Sequence, residues 1–189
     1  DEFREQINIY QNDKYIGVNL SKDFLHTFVK KVRENEKFYF NQLIDMTAID
    51  YPTREHRFDL VYILLSFRHN ARIIIKTPIK EDEEIHSITN VFNSANWYER
   101  ECYDLFGINF IEHPDLRRIM TDYNFEGHPL RKDFPLTGHT EVRYSEDKKK
   151  VVSEPVKLDQ EYRDFAFESP WEGTKYIKKE NQKNEIKDT

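Results

Sequence analysis

The sequence predicts an α+β fold: a small, mostly antiparallel sheet with helices packed on it, followed by a long extended C-terminal arm. Three observations carry that expectation. Two apolar runs, RFDLVYILLSF and ARIIIKT, are separated only by the turn-forming RHN, as in a hairpin. The stretch from Ser21 to Arg33 places apolar residues at helical spacing shortly before the first strand. Beyond His113 the helical period fades, and Pro114, Pro129, Pro135, Pro155 and Pro170 punctuate the chain.

Taken in order, Ser21 is placed as an N-cap and Asp23 lies in the first turn, where a negative charge meets the helix dipole. Phe24, Leu25, Phe28, Val29 and Val32 form the apolar stripe, and Lys30, Lys31 and Arg33 suit the C-terminal half. FYFNQLIDMTAID reads as a strand with imperfect alternation, YPTREH as a turn, and RFDLVYILLSF as a strand apolar on both faces from Leu60. ARIIIKT is the third strand, and Pro78 is expected to end the sheet. In KEDEEIHSITNVF, acidic residues precede Ile85, Ile88, Val91 and Phe92, the signature of a second helix. Asn93 and Ser94 interrupt it and cap a third, WYERECYDLFGI, which Gly107 terminates. EVRY and KVVSE, around SEDKKK, form a hairpin. Three segments result: an α+β domain over 1–112, an extended partner-binding arm over 113–172, and a polar tail over 173–189. The arm's aromatic residues have no evident core of their own, so it lies on a partner or wraps its own domain.

Composition narrows the function classes. A formal net charge of -6 argues against a general nucleic-acid binder, which needs a basic surface to neutralise phosphates. The single cysteine excludes an internal disulfide, a cysteine-ligated iron–sulfur cluster and a Cys-based zinc finger within the chain. The apolar run LVYILLSF is far shorter than the roughly 20 residues that span a bilayer. DEFREQINIYQ reads as neither a signal peptide nor an Arg-rich transit sequence.

The acidic, aromatic helix WYERECYDLFGI is where chemistry would be sought. On a helical wheel Tyr98, Cys102, Leu105 and Phe106 share the core face. Arg100 and Asp104 form an i,i+4 pair with Glu101 beside Asp104, and Glu99 projects near the opposite border. Adjacent carboxylates divide acid and base roles when burial separates their pKa values. Arg100 opposes that by holding them ionised, so structural ion pairing is favoured over an acid–base or metal site at Glu101, Asp104 and His113. Cys102 reads as a small core residue. His113, His128 and His139, with Asp115 and Asp133 nearby, match no metal-binding spacing and read as hydrogen-bonding loop residues. No phosphate-cradling glycine loop and no nucleophile elbow occurs. Arg117, Arg118, Arg131 and Lys132 are interleaved with acids, which favours a salt-bridged surface over an anion site. The residues therefore suggest no catalytic, cofactor-binding or metal-binding group.

ERECYDLFGINFIEHPDLRRIMTD, running from Glu99 to Asp122, and the following YNFEGHPLRKDFPLTGHTEVRY resemble the 30 kDa subunit of respiratory complex I, known in mitochondria as subunit 9 and in bacteria as the C subunit. The resemblance rests on Glu99, Arg100, Glu101, Asp104, Leu105, Phe106, His113, Pro114, Arg117, Arg118, Ile119 and Asp122, then on Gly127, His128, Pro129, Leu130, Arg131, Lys132 and Asp133. VVSEPVKLDQEYRDFAFESPWE is similar to the mitochondrial form of the arm, so the likeness covers residues 20–172. It implies a non-catalytic core subunit of the peripheral arm of proton-pumping NADH:ubiquinone oxidoreductase, bracing the quinone-reducing module. Flavin and iron–sulfur clusters would then sit in partner subunits and none in this chain. The main partner would be the 49 kDa-type quinone-module subunit. The location implied is the matrix side of the mitochondrial inner membrane, or the cytoplasmic side of a bacterial one, without a transmembrane segment. An equivalent subunit of a ferredoxin- or hydrogenase-linked membrane complex is the alternative. On this reading Glu99, Arg100, Glu101 and Asp104 tie the arm in place, and Arg117, Arg118, Arg131 and the loop 123–136 face a partner.

Overall fold

A computed structural model describes residues 7–11 and 15–158. The far end of the expected arm and the polar tail 173–189 lie outside them. Strands β1 (Ile7–Gln11) and β2 (Ile16–Leu20) precede helix α1 (Lys22–Glu34), and then β3 (Gln42–Asp50), β4 (Phe58–Ser66) and β5 (Ala71–Ile79) follow. Short β6 (Glu84–His86), helix α2 (Ala95–Phe106) and short β7 (Asn109–Ile111) complete the layer above the sheet, and β8 (Thr140–Ser145) and β9 (Lys150–Pro155) form a separate hairpin. The described residues divide into two units, with the boundary between Glu141 and Val142.

The main sheet runs β1-β2-β5-β4-β3. All its ladders are antiparallel except β2 on β5. Period-2 alternation puts Leu60, Tyr62 and Leu64 of β4 and Ile73 and Ile75 of β5 on one face, where they meet Leu25, Val29 and Val32 of α1 and Cys102 and Phe106 of α2 in one core. Ile63 and Leu65, on the other face, are half-buried, so β4 is apolar on both sides as its sequence indicates. The N-terminal hairpin is an addition to the expected elements, although Asn12 and Asp13, between its strands in the sequence, are turn-forming residue types. Gly17 makes it close-packed: the ring of Tyr10, its cross-strand partner, lies 2.1 Å from where a Cβ would stand.

Two local expectations fail. Pro78 does not end the sheet but pairs with Asp59 inside β5. The β2 ladder reaches only Ile73 to Lys76, so at Pro78 β5 has a neighbour on one side alone and the missing N–H is tolerated. The stretch 80–92 is not a helix either. Residues 84–86 form β6, parallel to β7, and a single helical turn follows in which the amide of Phe92 bonds the carbonyl of Ile88. Its apolar residues Ile85, Ile88, Val91 and Phe92 are buried all the same. The periodicity therefore marked core residues correctly while tertiary pairing chose the backbone.

Leu64→Ala should lower the unfolding free energy in urea by about 3 kcal/mol, and Ile63→Ala on the outer face by about 1 kcal/mol. The reverse order would place the core on the wrong face of β4.

Candidate functional site

Helix α2 ends at Gly107, in the left-handed conformation (φ 77°) that lets its amide bond the carbonyl of Tyr103. The last four carbonyls of a helix lack partners within it, and here each finds one. Beyond Tyr103, the carbonyl of Asp104 accepts from His128 Nδ1 at 2.8 Å, that of Leu105 from the amide of Leu130 at 3.1 Å, and that of Phe106 from Arg131 Nε at 2.6 Å. All three donors come from the segment after β7. A Cβ at Gly107 would lie 2.6 Å from both Arg131 and His128, so glycine also makes room for this cap.

Within the same turn sits Asp104, its side chain fully buried. Its Oδ2 accepts the amides of Ile119, Met120 and Thr121 at 3.0, 2.6 and 2.8 Å. Its Oδ1 accepts the Thr121 hydroxyl at 2.5 Å and Arg118 Nη1 at 2.7 Å. Burial alone would raise its pKa. The Thr121 hydroxyl and amide, the Arg118 guanidinium and the Ile119 amide outweigh that and hold it well below the usual carboxylate range. Arg118 continues to the carbonyl of Gly127 at 3.1 Å and lies over the Phe125 ring.

Arg100 does not pair with Asp104 as the i,i+4 spacing suggested. Its Nε and Nη2 instead donate to the carbonyls of Arg117 and Arg118 at 3.1 and 3.2 Å, and its guanidinium lies over Trp97. Glu99 is not at a solvent border but fully buried, accepting the amide of Ile88 at 2.7 Å and lying 2.6 Å from the Ser87 hydroxyl. Burial pushes its pKa up to about 7 against the lowering effect of those two hydrogen bonds. Arg100 therefore does not keep Glu99 strongly acidic. Glu101 is half-exposed, and Cys102 is a buried thiol whose pKa burial raises first, with Glu101 and Glu99 adding to it.

A second set of anchors joins residues 131–133 to the sheet. Arg57 holds Asp50 with two hydrogen bonds of 2.8 and 3.1 Å, and reaches Glu81 and Asp133 at 2.9 Å each. Arg131 Nη1 meets Glu81 at 2.6 Å, and the amide of Lys132 donates to Asp50 at 2.7 Å. Burial alone would raise the Asp50 pKa, but the hydrogen bonds from Arg57 and the Lys132 amide and the charges of Arg57 and Arg131 outweigh it and hold the carboxyl below its ordinary value. Arg57, Asp50 and Glu81 were not singled out from the sequence. Their partners lie up to 82 residues away, and no local pattern announces such a contact.

The histidines are not brought together. His113 Nε2 lies 3.3 Å from the carbonyl of Asn96 while its Nδ1 accepts the amide of Asp115, His128 caps α2, and His139 packs edge-on against Phe134. Asp115 pairs with Arg117 at 2.9 Å, and Asp133 with Arg57. Arg118 and Arg131 turn into their own domain, while Arg117 stays exposed. Pro114, Asp122, Lys132 and Asp133 are exposed, and Ile119 and Pro129 half-buried. Leu130 is exposed alongside Met120, Tyr123 and Leu136, which are 64%, 72% and 82% accessible.

Among the described residues this geometry brings no acid–base pair together over a cleft. What the geometry defines is an α+β domain that presents exposed apolar side chains on a loop held by backbone hydrogen bonds at the end of a helix. The chain belongs to the family described as "Respiratory-chain NADH dehydrogenase, 30 Kd subunit", matched over residues 18–140, which contain both sets of anchors. The C subunit of the NADH-quinone oxidoreductase of Ruegeria pomeroyi is 54% identical over 170 residues, covering 90% of this chain and 85% of that one. The same subunit of Methylobacterium radiotolerans is 59% identical over 146 residues, covering 77% and 68%. In fold alone, the chain is similar to one in the membrane-bound sulfane sulfur reductase, an archaeal respiratory membrane complex, with a TM-score of 0.61, 23% identity, and 71% and 81% coverage. No helix among the described residues is long and apolar enough to cross a membrane.

Asp104→Asn should cost about 3 kcal/mol at pH 7, because it strands Arg118 and weakens the amide nest. Sign and window follow from the depressed pKa. The carboxylate's contribution is complete above its ordinary value of 3.8 and is lost as pH falls toward its lower folded value. Thermal melts from pH 7 to 2 should therefore show a smaller acid-side loss in the variant than in the parent chain. Parallel curves would refute the assignment.

Proposed function

We propose that this chain is a non-catalytic core subunit of the peripheral arm of a proton-pumping NADH:ubiquinone oxidoreductase, where it braces the quinone-reducing module. Family membership and the bacterial relatives support the assignment. The observation that carries the bracing role is the Asp104 nest. It holds residues 119–121 by backbone amides, which orders the loop bearing Met120, Tyr123 and Leu130 without using those side chains. An ordered apolar loop loses little conformational entropy when a partner covers it.

The partner that fits this role is the 49 kDa-type quinone-module subunit, with flavin and iron–sulfur clusters carried by other subunits. Residues 113–172 act as the partner-binding segment, with Arg117 and the loop 123–136 at the contact. The chain lies on the aqueous side of the membrane that holds the complex, the matrix side in a mitochondrion or the cytoplasmic side in a bacterium. The relatives cited are bacterial. An equivalent role in a ferredoxin- or hydrogenase-linked complex draws only on the fold shared with the archaeal reductase and is the weaker reading.

Native-gel separation of solubilised membranes, with an NADH-dehydrogenase stain and mass spectrometry of the band, should find this chain in the large NADH-oxidising complex. Recovery only as a small free protein would rule the assignment out. Arg100→Ala removes the donor to the carbonyls of Arg117 and Arg118. It should reduce the amount of assembled complex several-fold and leave quinone reduction per assembled complex unchanged. Normal assembly with slowed turnover would contradict a bracing role.

A further inference from the structure

In the middle of α2, five residues before Asp104, Glu99 is buried, and no cation among the described residues is within hydrogen-bond distance of it. Its carboxyl meets an amide, that of Ile88, and a hydroxyl, that of Ser87. The Ser87 oxygen lies 2.8 Å from the Thr89 hydroxyl and also accepts the Thr89 amide at 3.1 Å. Ser87 Oγ stands to donate to an ionised Glu99. The same contacts also serve a neutral acid, whose O–H would donate to Ser87 while Ser87 donates to Thr89 and the other Glu99 oxygen accepts from Ile88.

The charged and titratable neighbours supply no compensating positive charge. His113, from the turn after β7, has its Nε2 at 3.9 Å from Glu99, beyond hydrogen-bond range. Its Nδ1 accepts the Asp115 amide, so the remaining proton sits on Nε2 beside the Asn96 carbonyl and the ring is uncharged. Burial lowers its pKa first, and Arg100 adds to the lowering. From β4 comes the fully buried Tyr62 phenol, and from α2 itself the Cys102 thiol; burial and then Glu99 keep Tyr62 protonated, and burial likewise keeps Cys102 protonated. Arg100 is turned to the Arg117 and Arg118 carbonyls. His86, at the end of β6, faces the exposed Glu112.

We propose that Glu99 is carried in the folded domain as a protonated, hydrogen-bond-donating acid, and that its proton is a pH-sensitive clasp between α2 and the turn after β6. Losing the proton leaves a buried anion without a counter-charge and weakens the seam, so the clasp loosens as pH rises. The sign agrees with the raised pKa. The folded value of about 7 exceeds the ordinary 4.5, so the contribution is complete below the ordinary value and is lost as pH rises through the folded one.

Glutamine mimics the protonated acid, donating to Ser87 and accepting from Ile88. Urea unfolding of the full chain should show the parent's unfolding constant rising with pH from 5 to 8, relative to Glu99→Gln, by about tenfold or more, the equivalent of at least one pKa unit. Glu99→Gln should then be the more stable protein at pH 8. A variant less stable than the parent at every pH, with no difference in slope, would show an ionised anchor and overturn the proposal. Difference infrared spectroscopy decides independently, including if the variant does not fold. The parent chain should show a protonated-carboxyl band that persists at pH 6, when ordinary carboxyls are ionised, and disappears by pH 8. Its absence at pH 6 overturns the proposal.

Discussion

A carboxylate near the C-terminal end of a helix is badly placed, because the dipole already concentrates negative charge there. Asp104 occupies that position, and α2 carries no basic residue in its last turn. The missing positive charge and hydrogen-bond donors arrive from residues 117–131, through Arg118, three consecutive amides, His128 and Arg131. Helix and returning segment therefore depend on each other. Without the segment, α2 ends in unpaired carbonyls and an uncompensated carboxylate; without α2, the amides of residues 119–121 and of Leu130 lose their acceptors.

The ion cluster around Arg57 fixes the segment at a second place and from another direction. Asp50 ends β3, Arg57 immediately precedes β4 and Glu81 lies just past β5, so the ends of three neighbouring strands present the receptor for residues 131–133. A single surface ion pair contributes little. Here a bidentate Arg–carboxylate pair is buried at its centre and shared with a backbone amide, a geometry that is worth more and that also fixes register. Between the two anchor sets the backbone is held while Met120, Tyr123 and Leu130 face outward. Under the proposed bracing role, a contact surface ordered beforehand does not have to be ordered at assembly.

Much of the fold was legible in the sequence. The amphipathic stripe of α1, the β4–β5 hairpin, the Gly107 stop and the β8–β9 hairpin all depend on contacts between near neighbours, and periodicity and turn chemistry report such contacts directly. The signature residues from Glu99 to Asp133 were also legible as a block, and their resemblance named the family before any geometry was known. The sequence thus determined the α+β class, the core positions and the kinship.

Partner choice is what only the tertiary structure decided. Arg100 and Asp104 sit at ideal helical spacing, yet each bonds the returning segment instead, since a buried carboxylate near a helix end gains more from three amides and a guanidinium than from one neighbour on the same surface. Glu99 reads as a border residue until β6 and the turn after it cover it. The 80–92 stretch has a helical pattern, but β7 offers it a parallel ladder and Glu99 captures the amide that follows. Local propensity amounts to a few tenths of a kcal/mol per residue, whereas burying a polar group unpaired costs several times that, so long-range pairing prevails wherever the two conflict.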